Sequence, residues 1–361
     1  MGNDTLQQFA ALDLDYLIIG GGTAGLAVAA RLTDDPEFKV GVIEAGPSVL
    51  NLDDNGAINV PGRYGETIGS KYDWKFKTIP QPGLGGRSLP WPRGRILGGT
   101  SALNLMAWNR GHRKDYDAWA ELGNEGWGWE DLFQAKEVAQ NTGRTRDALL
   151  ASQFESGEAR GQVEYLFDLG NWSPYYVSEP GKKYATMLQM LQYPFSRGSI
   201  HIPPMSETNY EKATIDDKPV IDPRYFLGPG EIDKKVMAKA LRWGDRICQT
   251  EPLAKLIHTR VFPPPANGAD SEEKLYEDFV SNYTVTDWHP VGTCAMGKAD
   301  GANAGVVNDM LQVHGVHALR VVDASIMPLQ VGAHIQATVY AIAEKAAVMI
   351  MEDYFARNYP L

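Results

Sequence analysis

The chain has 361 residues, 43% hydrophobic and 22% charged, an ordinary globular composition that excludes a disordered or fibrous protein. A formal net charge of −11 without a basic block leaves no electrostatic footprint for nucleic acid or for an anionic membrane surface. The two cysteines, Cys248 and Cys294, stand far apart, which excludes a disulfide framework and a zinc-type ligand spacing, so no metal site is expected.

Residues 1–14 lack the basic and apolar regions of a secretory signal and no apolar run spans a bilayer, so the chain reads as cytoplasmic. Asp15 to Ile19 is a short apolar run that predicts a strand, Ala24 to Leu32 an alanine-rich helix, and Lys39 to Ile43 a second buried strand. Together they predict a β-α-β unit and hence a parallel sheet. Residues 51–92, rich in Gly, Pro, Tyr and Trp, predict extended chain laid over that unit. Helices are expected over 115–122 and 129–138, and a polar connector over 140–161. Residues 163–167, 198–202 and 219–221 read as strands of a second, sheet-based domain. An amphipathic helix over 231–248 and a shorter one over 272–282 follow. Ala318 to Asp323 is expected to be a buried strand, and 336–352 a closing helix.

Gly20-x-Gly22-x-x-Gly25 sits between the first strand and the first helix, where glycines permit a tight turn, close backbone approach to a pyrophosphate and helix packing. Thr23 and Ala24 lie inside this loop. Glu44, 19 residues after Gly25, stands at the end of the second strand beside Ala45, where its carboxylate can accept from a ribose diol. A 2′-phosphate would be repelled there, so FAD or NAD is favoured over NADP. A ligand-free glycine turn is the competing reading.

A second segment, Arg95-x-Leu97-Gly98-Gly99-Thr100-Ser101-x-x-Asn104, separates those cofactors, because with the first loop it resembles the glucose-methanol-choline oxidoreductases, flavoenzymes that oxidise alcohols. Two further blocks carry the resemblance: Asp287-Trp288-His289-Pro290-Val291-Gly292-Thr293, and Val322 to Pro328 with Ala333-His334-Ile335-Gln336. The resemblance implies that Arg95, Gly98, Gly99, Thr100, Ser101 and Asn104 lie against FAD, with Asn104 and Ala107 near the flavin ring. It places Asp323, Ala324, His334, Ile335 and Gln336 on the cofactor, makes His289 the catalytic base, and makes His334 its partner. Non-covalent FAD is expected, since Ser101 to Asn104 contains no histidine for a covalent link.

The implied fold class is α/β: a Rossmann-like FAD-binding domain with a parallel sheet, interleaved with a reduced α+β substrate domain built on an antiparallel sheet. Residues 1–140 form the first part of the FAD domain, 141–161 the connector and 162–290 mainly the substrate domain. Residues 291–361 form the last part of the FAD domain, and helix 231–248 is open to either domain. Trp172, Tyr175 and Tyr176 are candidates to wall an apolar substrate pocket.

The chain departs from the resemblance near residues 138–161, where a large internal deletion removes the second family signature, a strand near the adenine and part of the substrate domain. Two readings follow. One is an FAD-dependent oxidation of a primary or secondary alcohol, aromatic or hydrophobic, by hydride transfer with a histidine base. The other is a non-redox lyase, isomerase or cyclase, or a binding protein, on a scaffold that has lost or weakened FAD binding. Either way the expected partner is a small molecule, not nucleic acid or a membrane.

Overall fold

The computed structural model describes residues 3–48, 56–133, 145–152, 160–203, 213–263 and 272–359, and opens with a short helix, Asn3–Ala10 (α1). The strand Tyr16–Ile19 (β1) passes through Thr23–Leu32 (α2) to Val40–Ile43 (β2), and the two strands pair in parallel with Tyr16 opposite Val40. The β-α-β unit is therefore present, and packing dictates its turn. A Cβ on Gly25 would sit 2.1 Å from the carbonyl oxygen of Gly20, so only glycine lets the helix come this close to the strand.

Residues 56–92 are mostly irregular, with one small antiparallel ladder between Phe76–Lys77 (β3) and Pro90–Trp91 (β4). The chain after it returns to the nucleotide turn: the Leu97 amide donates to the Pro47 carbonyl at 2.9 Å and the Gly98 amide to the Gly21 carbonyl at 2.7 Å. Arg113–Glu121 (α3) starts at a reciprocal cap, in which the Lys114 amide donates to the His112 ring and the His112 amide to the Asp115 carboxylate. Trp129–Phe133 (α4) follows. A further helix, Arg146–Ser152 (α5), lies within the stretch expected to be an unstructured connector; the rest of that stretch, apart from residues 145, 160 and 161, falls outside the described residues.

Val163–Asp168 (β5) and Thr186–Leu191 (β6) form an antiparallel pair, while Ser199–His201 (β7) and Val220–Asp222 (β8) form another. Among the described residues of 162–290 the antiparallel part is thus two separate ladders rather than one sheet. Strand β6 was not legible in advance, because Thr-Met-Leu-Gln-Met-Leu has neither clean alternation nor flanking turn residues of a clear type. Glu231–Cys248 (α6) packs on β6 and on Glu272–Tyr283 (α7), which fixes its place against the antiparallel pair, and Gln336–Asn358 (α8) closes the described chain.

The main core joins the two ends of the sequence. Buried Ala24, Val28 and Leu32 of α2 meet a face of α8 that carries Ala343 and Ala346, whose small side chains allow close helix approach. Tyr116, Trp119 and Trp127 are fully buried in the same cluster, and each large apolar side chain so placed contributes about 1.5–3 kcal/mol.

Residues 318–323 do not form the expected strand. They are held instead by an isolated bridge of Arg320 with Gln312 and by a Val321 amide that donates to Leu311. The pairing with residues 311–313 stops at that single antiparallel bridge, too short to make a strand. Among the described residues β1 pairs with β2 alone, which leaves Leu17 49% and Ile19 80% exposed.

Candidate active site

A cleft of about 1750 Å³ opens beside the β1-α2 turn. Ordinary small-molecule pockets hold about 300–1,000 Å³, so this one accommodates a large cofactor and a substrate together. Its lining gathers residues from blocks more than 300 positions apart in the chain. The first loop contributes Gly20, Gly22, Thr23, Ala24 and Gly25, and the end of β2 contributes Glu44 and Ala45. Gly99, Thr100, Ser101, Asn104 and Ala107 line it from the second segment. The C-terminal block adds Asp323, Ala324, His334, Ile335 and Gln336.

A chain of polar contacts ties these blocks to one another. Thr23 Oγ1 lies 2.6 Å from Ser101 Oγ, Gln336 donates from Nε2 to Ser101 Oγ at 3.3 Å, and Asn104 donates from Nδ2 to Gln336 Oε1 at 2.8 Å. Side chains that couple three remote segments hold the cleft in shape. Glu44 is held in turn by two backbone amides, with Gly21 donating to Oε2 at 2.9 Å and Gly46 donating to Oε1 at 2.7 Å. Each carboxylate oxygen keeps a further lone pair for a ligand hydroxyl.

Two of the residues expected against the cofactor, Arg95 and Gly98, lie outside this lining. Arg95 does not line the cleft, because its guanidinium pairs with Asp216 at 2.9 Å and stacks 4.5 Å over the Trp74 ring. Gly98 is also outside the lining, since its amide is turned onto the Gly21 carbonyl. Arg320 and Arg357 line the cleft, and so does Arg93, two residues before Arg95. Burial lowers the Arg93 guanidinium to about 10, against the raising influence of Asp73 and Tyr225, and it stays charged at neutral pH.

His289 and His334 meet across the cleft with ring centroids 5.1 Å apart and planes at 89°. Asp287 Oδ2 lies 2.9 Å from His289 Nδ1 and 4.0 Å from His334 Nδ1, and Glu164 Oε1 on β5 lies 3.5 Å from His334 Nε2. Neither carboxylate was picked out in advance. Asp287 stands two residues before His289, a signal that sequence spacing does carry, whereas Glu164 reaches the site only through the fold. Between Asp287 and His289, Trp288 has φ +59°, a conformation rare for a bulky residue. Its amide donates to Thr286 Oγ1 and its indole to the Pro90 carbonyl, both at 3.1 Å, and these bonds secure the turn that brings acid and imidazole together.

The aromatic loop does not wall the cleft. Trp172 stacks on Tyr64 at 5.9 Å, Tyr175 packs on Tyr283 at 5.1 Å, and Tyr176 packs on Tyr184 at 5.7 Å. Trp74 and Trp288 are the indoles that line it.

A glycine turn opening a helix, an acid at the next strand end and a histidine pair in the same cleft define an α/β nucleotide-binding enzyme. The GMC oxidoreductase profile matches the chain in both its parts, the N-terminal one over residues 14–164 and the C-terminal one over residues 194–343. The chain belongs to this family, the FAD-dependent GMC oxidoreductases. It is 26% identical to an uncharacterised GMC-type oxidoreductase of Mycobacterium tuberculosis, over 93% of this chain and 99% of that one. That alignment runs over 530 positions against 361 residues here, so long stretches of the relative have no counterpart. Pyranose dehydrogenase 3 of Leucoagaricus meleagris is 42% identical over 130 residues, covering 36% of this chain and 21% of its own length. Among solved structures, pyridoxine 4-oxidase from Mesorbium loti superposes with a TM-score of 0.72 at 22% identity, covering 94% of this chain and 99% of its own. Formate oxidase of Aspergillus oryzae gives 0.74 at 18% identity, over 94% and 98%. Among the described residues no helix is long and apolar enough to cross a membrane.

Proposed function

We propose that this protein oxidises a primary or secondary alcohol of apolar character to the carbonyl compound, with FAD held non-covalently and His289 as the base. The observation that carries this reading is the convergence of two imidazoles with three remote glycine-rich and polar segments in one cleft.

The residues present fit the cofactor. Helix α2 begins at Gly22 without a side-chain cap, so its first amides are available to an anionic pyrophosphate. A Cβ on Gly99 would lie 2.6 Å from Gly22 Cα, which keeps the two backbones in contact and leaves their cleft side bare of side chains. Glu44 would take the ribose, and Thr100, Ser101, Asn104 and Gln336 the pyrophosphate and ring. Bound FAD supplies the hydride acceptor.

The protein's own part is proton transfer and positioning. With its Nδ1 proton donated to Asp287, neutral His289 presents the Nε2 lone pair to the substrate hydroxyl and accepts its proton. His334, facing it at 5.1 Å, hydrogen-bonds the substrate oxygen through Nδ1, and Glu164 beside Nε2 keeps that ring in place. Trp74, Trp288 and Leu105 line the same cleft and suit an apolar substituent on the carbinol carbon.

A second reading, acid–base chemistry without redox, draws support from the open wall where Ile19 is 80% exposed within the cleft. The visible spectrum of the purified protein separates the two. A flavin spectrum that survives gel filtration and is released on denaturation is expected; a colourless protein that takes up no added FAD overturns the oxidoreductase reading.

A further inference from the structure

We infer that Asp287, His289 and His334 also form a binding site for a divalent transition-metal ion, with Zn2+ as the fitting probe. Cysteine spacing offers no hint of such a site, because these ligands converge only in the fold. One carboxylate oxygen and one nitrogen from each imidazole lie within 4.8 Å of one another. Asp287 Oδ2 is the hub, 2.9 Å from His289 Nδ1 and 4.0 Å from His334 Nδ1. Ligand atoms around a tetrahedral Zn2+ stand roughly 3.5 Å apart, a separation that these two distances bracket.

A second feature points the same way. The far nitrogen of His334, Nε2, faces Glu164 Oε1 at 3.5 Å. Metal-bound imidazoles commonly donate their other N–H to a carboxylate, which fixes the ring and strengthens it as a ligand. Glu164 occupies that place. Two imidazoles and one carboxylate leave open positions for water, the ligand set of mononuclear Zn2+ and Fe2+ sites. All three ligands are half-buried and line the cleft, so an ion reaches them from solvent.

Binding has a consequence that rests on the proposed role of His289, although the binding itself does not. As a base, His289 carries its proton on Nδ1 and keeps Nε2 free. Zn2+ takes the Nδ1 lone pair, the proton moves to Nε2 through solvent, and the ring no longer accepts a proton from substrate. The ion therefore blocks turnover.

Calorimetric titration of ZnCl2 into the chelator-stripped protein tests the site, with flavin content read from the same samples so that loss of FAD and loss of metal binding are told apart. One ion per chain is expected, with affinity reduced about 100-fold or more in Asp287→Asn and in His334→Asn. Glu164→Gln, which keeps all three ligands, should weaken binding by about 10–100-fold. Absence of binding heat overturns the site. So does equal affinity in the parent and all three variants, which would place the ion on other histidines. Far-ultraviolet circular dichroism identifies any variant that fails to fold, and Glu164→Gln alone then suffices to decide.

Discussion

His289 Nδ1 and Asp287 Oδ2 lie 2.9 Å apart, joined across a left-handed Trp288. The carboxylate selects one tautomer of the imidazole and stabilises the charged ring that forms when a proton arrives. Asp287→Asn should accordingly slow flavin reduction by about 10²-fold or more while the bound FAD content stays at the parent level. Stopped-flow reduction by an alcohol without oxygen measures it, and a parent-like rate would remove Asp287 from this role.

Asp115 joins the start of α3 to the loop that carries His334. Its Oδ2 accepts from the amides of His112 at 2.8 Å and Gly332 at 3.0 Å, and its Oδ1 accepts from Tyr193 and from Arg160, both at 2.9 Å. The Asp115 side chain is 0% exposed and that of Arg160 10%, so Asp115→Ala leaves a buried cation unpaired. A loss of about 3–5 kcal/mol is expected in urea unfolding, with part of it recovered when Arg160→Met is added. An unchanged midpoint for the single variant would contradict this account.

Tyr193 gives the pH dependence its sign. Burial first, and then the charge of Asp115, raise its hydroxyl pKa well above the ordinary tyrosine value. The folded state thus favours the neutral form, and the stabilisation is complete below the ordinary tyrosine pKa of about 10 and declines as pH rises from there toward the folded value. Stability should fall across this alkaline range in the parent and fall less steeply in Tyr193→Phe. At neutral pH that variant should lose about 1–3 kcal/mol through the missing hydrogen bond to a carboxylate. Identical alkaline slopes in urea titrations would exclude the assignment.

Gly99 has φ +57°, and its Cβ position is 2.6 Å from Gly22 Cα. Gly99→Ala combines backbone strain of about 1–3 kcal/mol with a push on the loop expected to carry pyrophosphate. FAD affinity should drop at least tenfold in a fluorescence titration, with the far-ultraviolet spectrum unchanged. Full retention of affinity would show that the two loops do not jointly hold the cofactor.

Much of this architecture was legible from local pattern. The apolar run before Gly20, the alanine-rich stretch after it and the amphipathic period of 231–248 each encode an element in their own spacing, and the structure places those elements there. The run 318–323 looked equally strand-like and is not one, because its pairing with 311–313 is a single bridge, and the length of a ladder depends on a neighbour that its own residues cannot specify. The site divides in the same way. Motifs marked Gly20, Gly99, His289 and His334, whereas the pairing of Arg95 with Asp216, remote in sequence, has no local signal. Glu164 carries no local signature, and only tertiary packing brings it to the cleft.

The most direct measurement is anaerobic mixing of the purified flavoprotein with a hydrophobic primary alcohol while the visible flavin band is followed, in parent and His289→Ala. The account predicts bleaching of the parent, and a variant that keeps its FAD but bleaches at least about 10²-fold more slowly. Bleaching of His289→Ala at the parent rate, or a parent whose bound flavin no alcohol reduces, would contradict it.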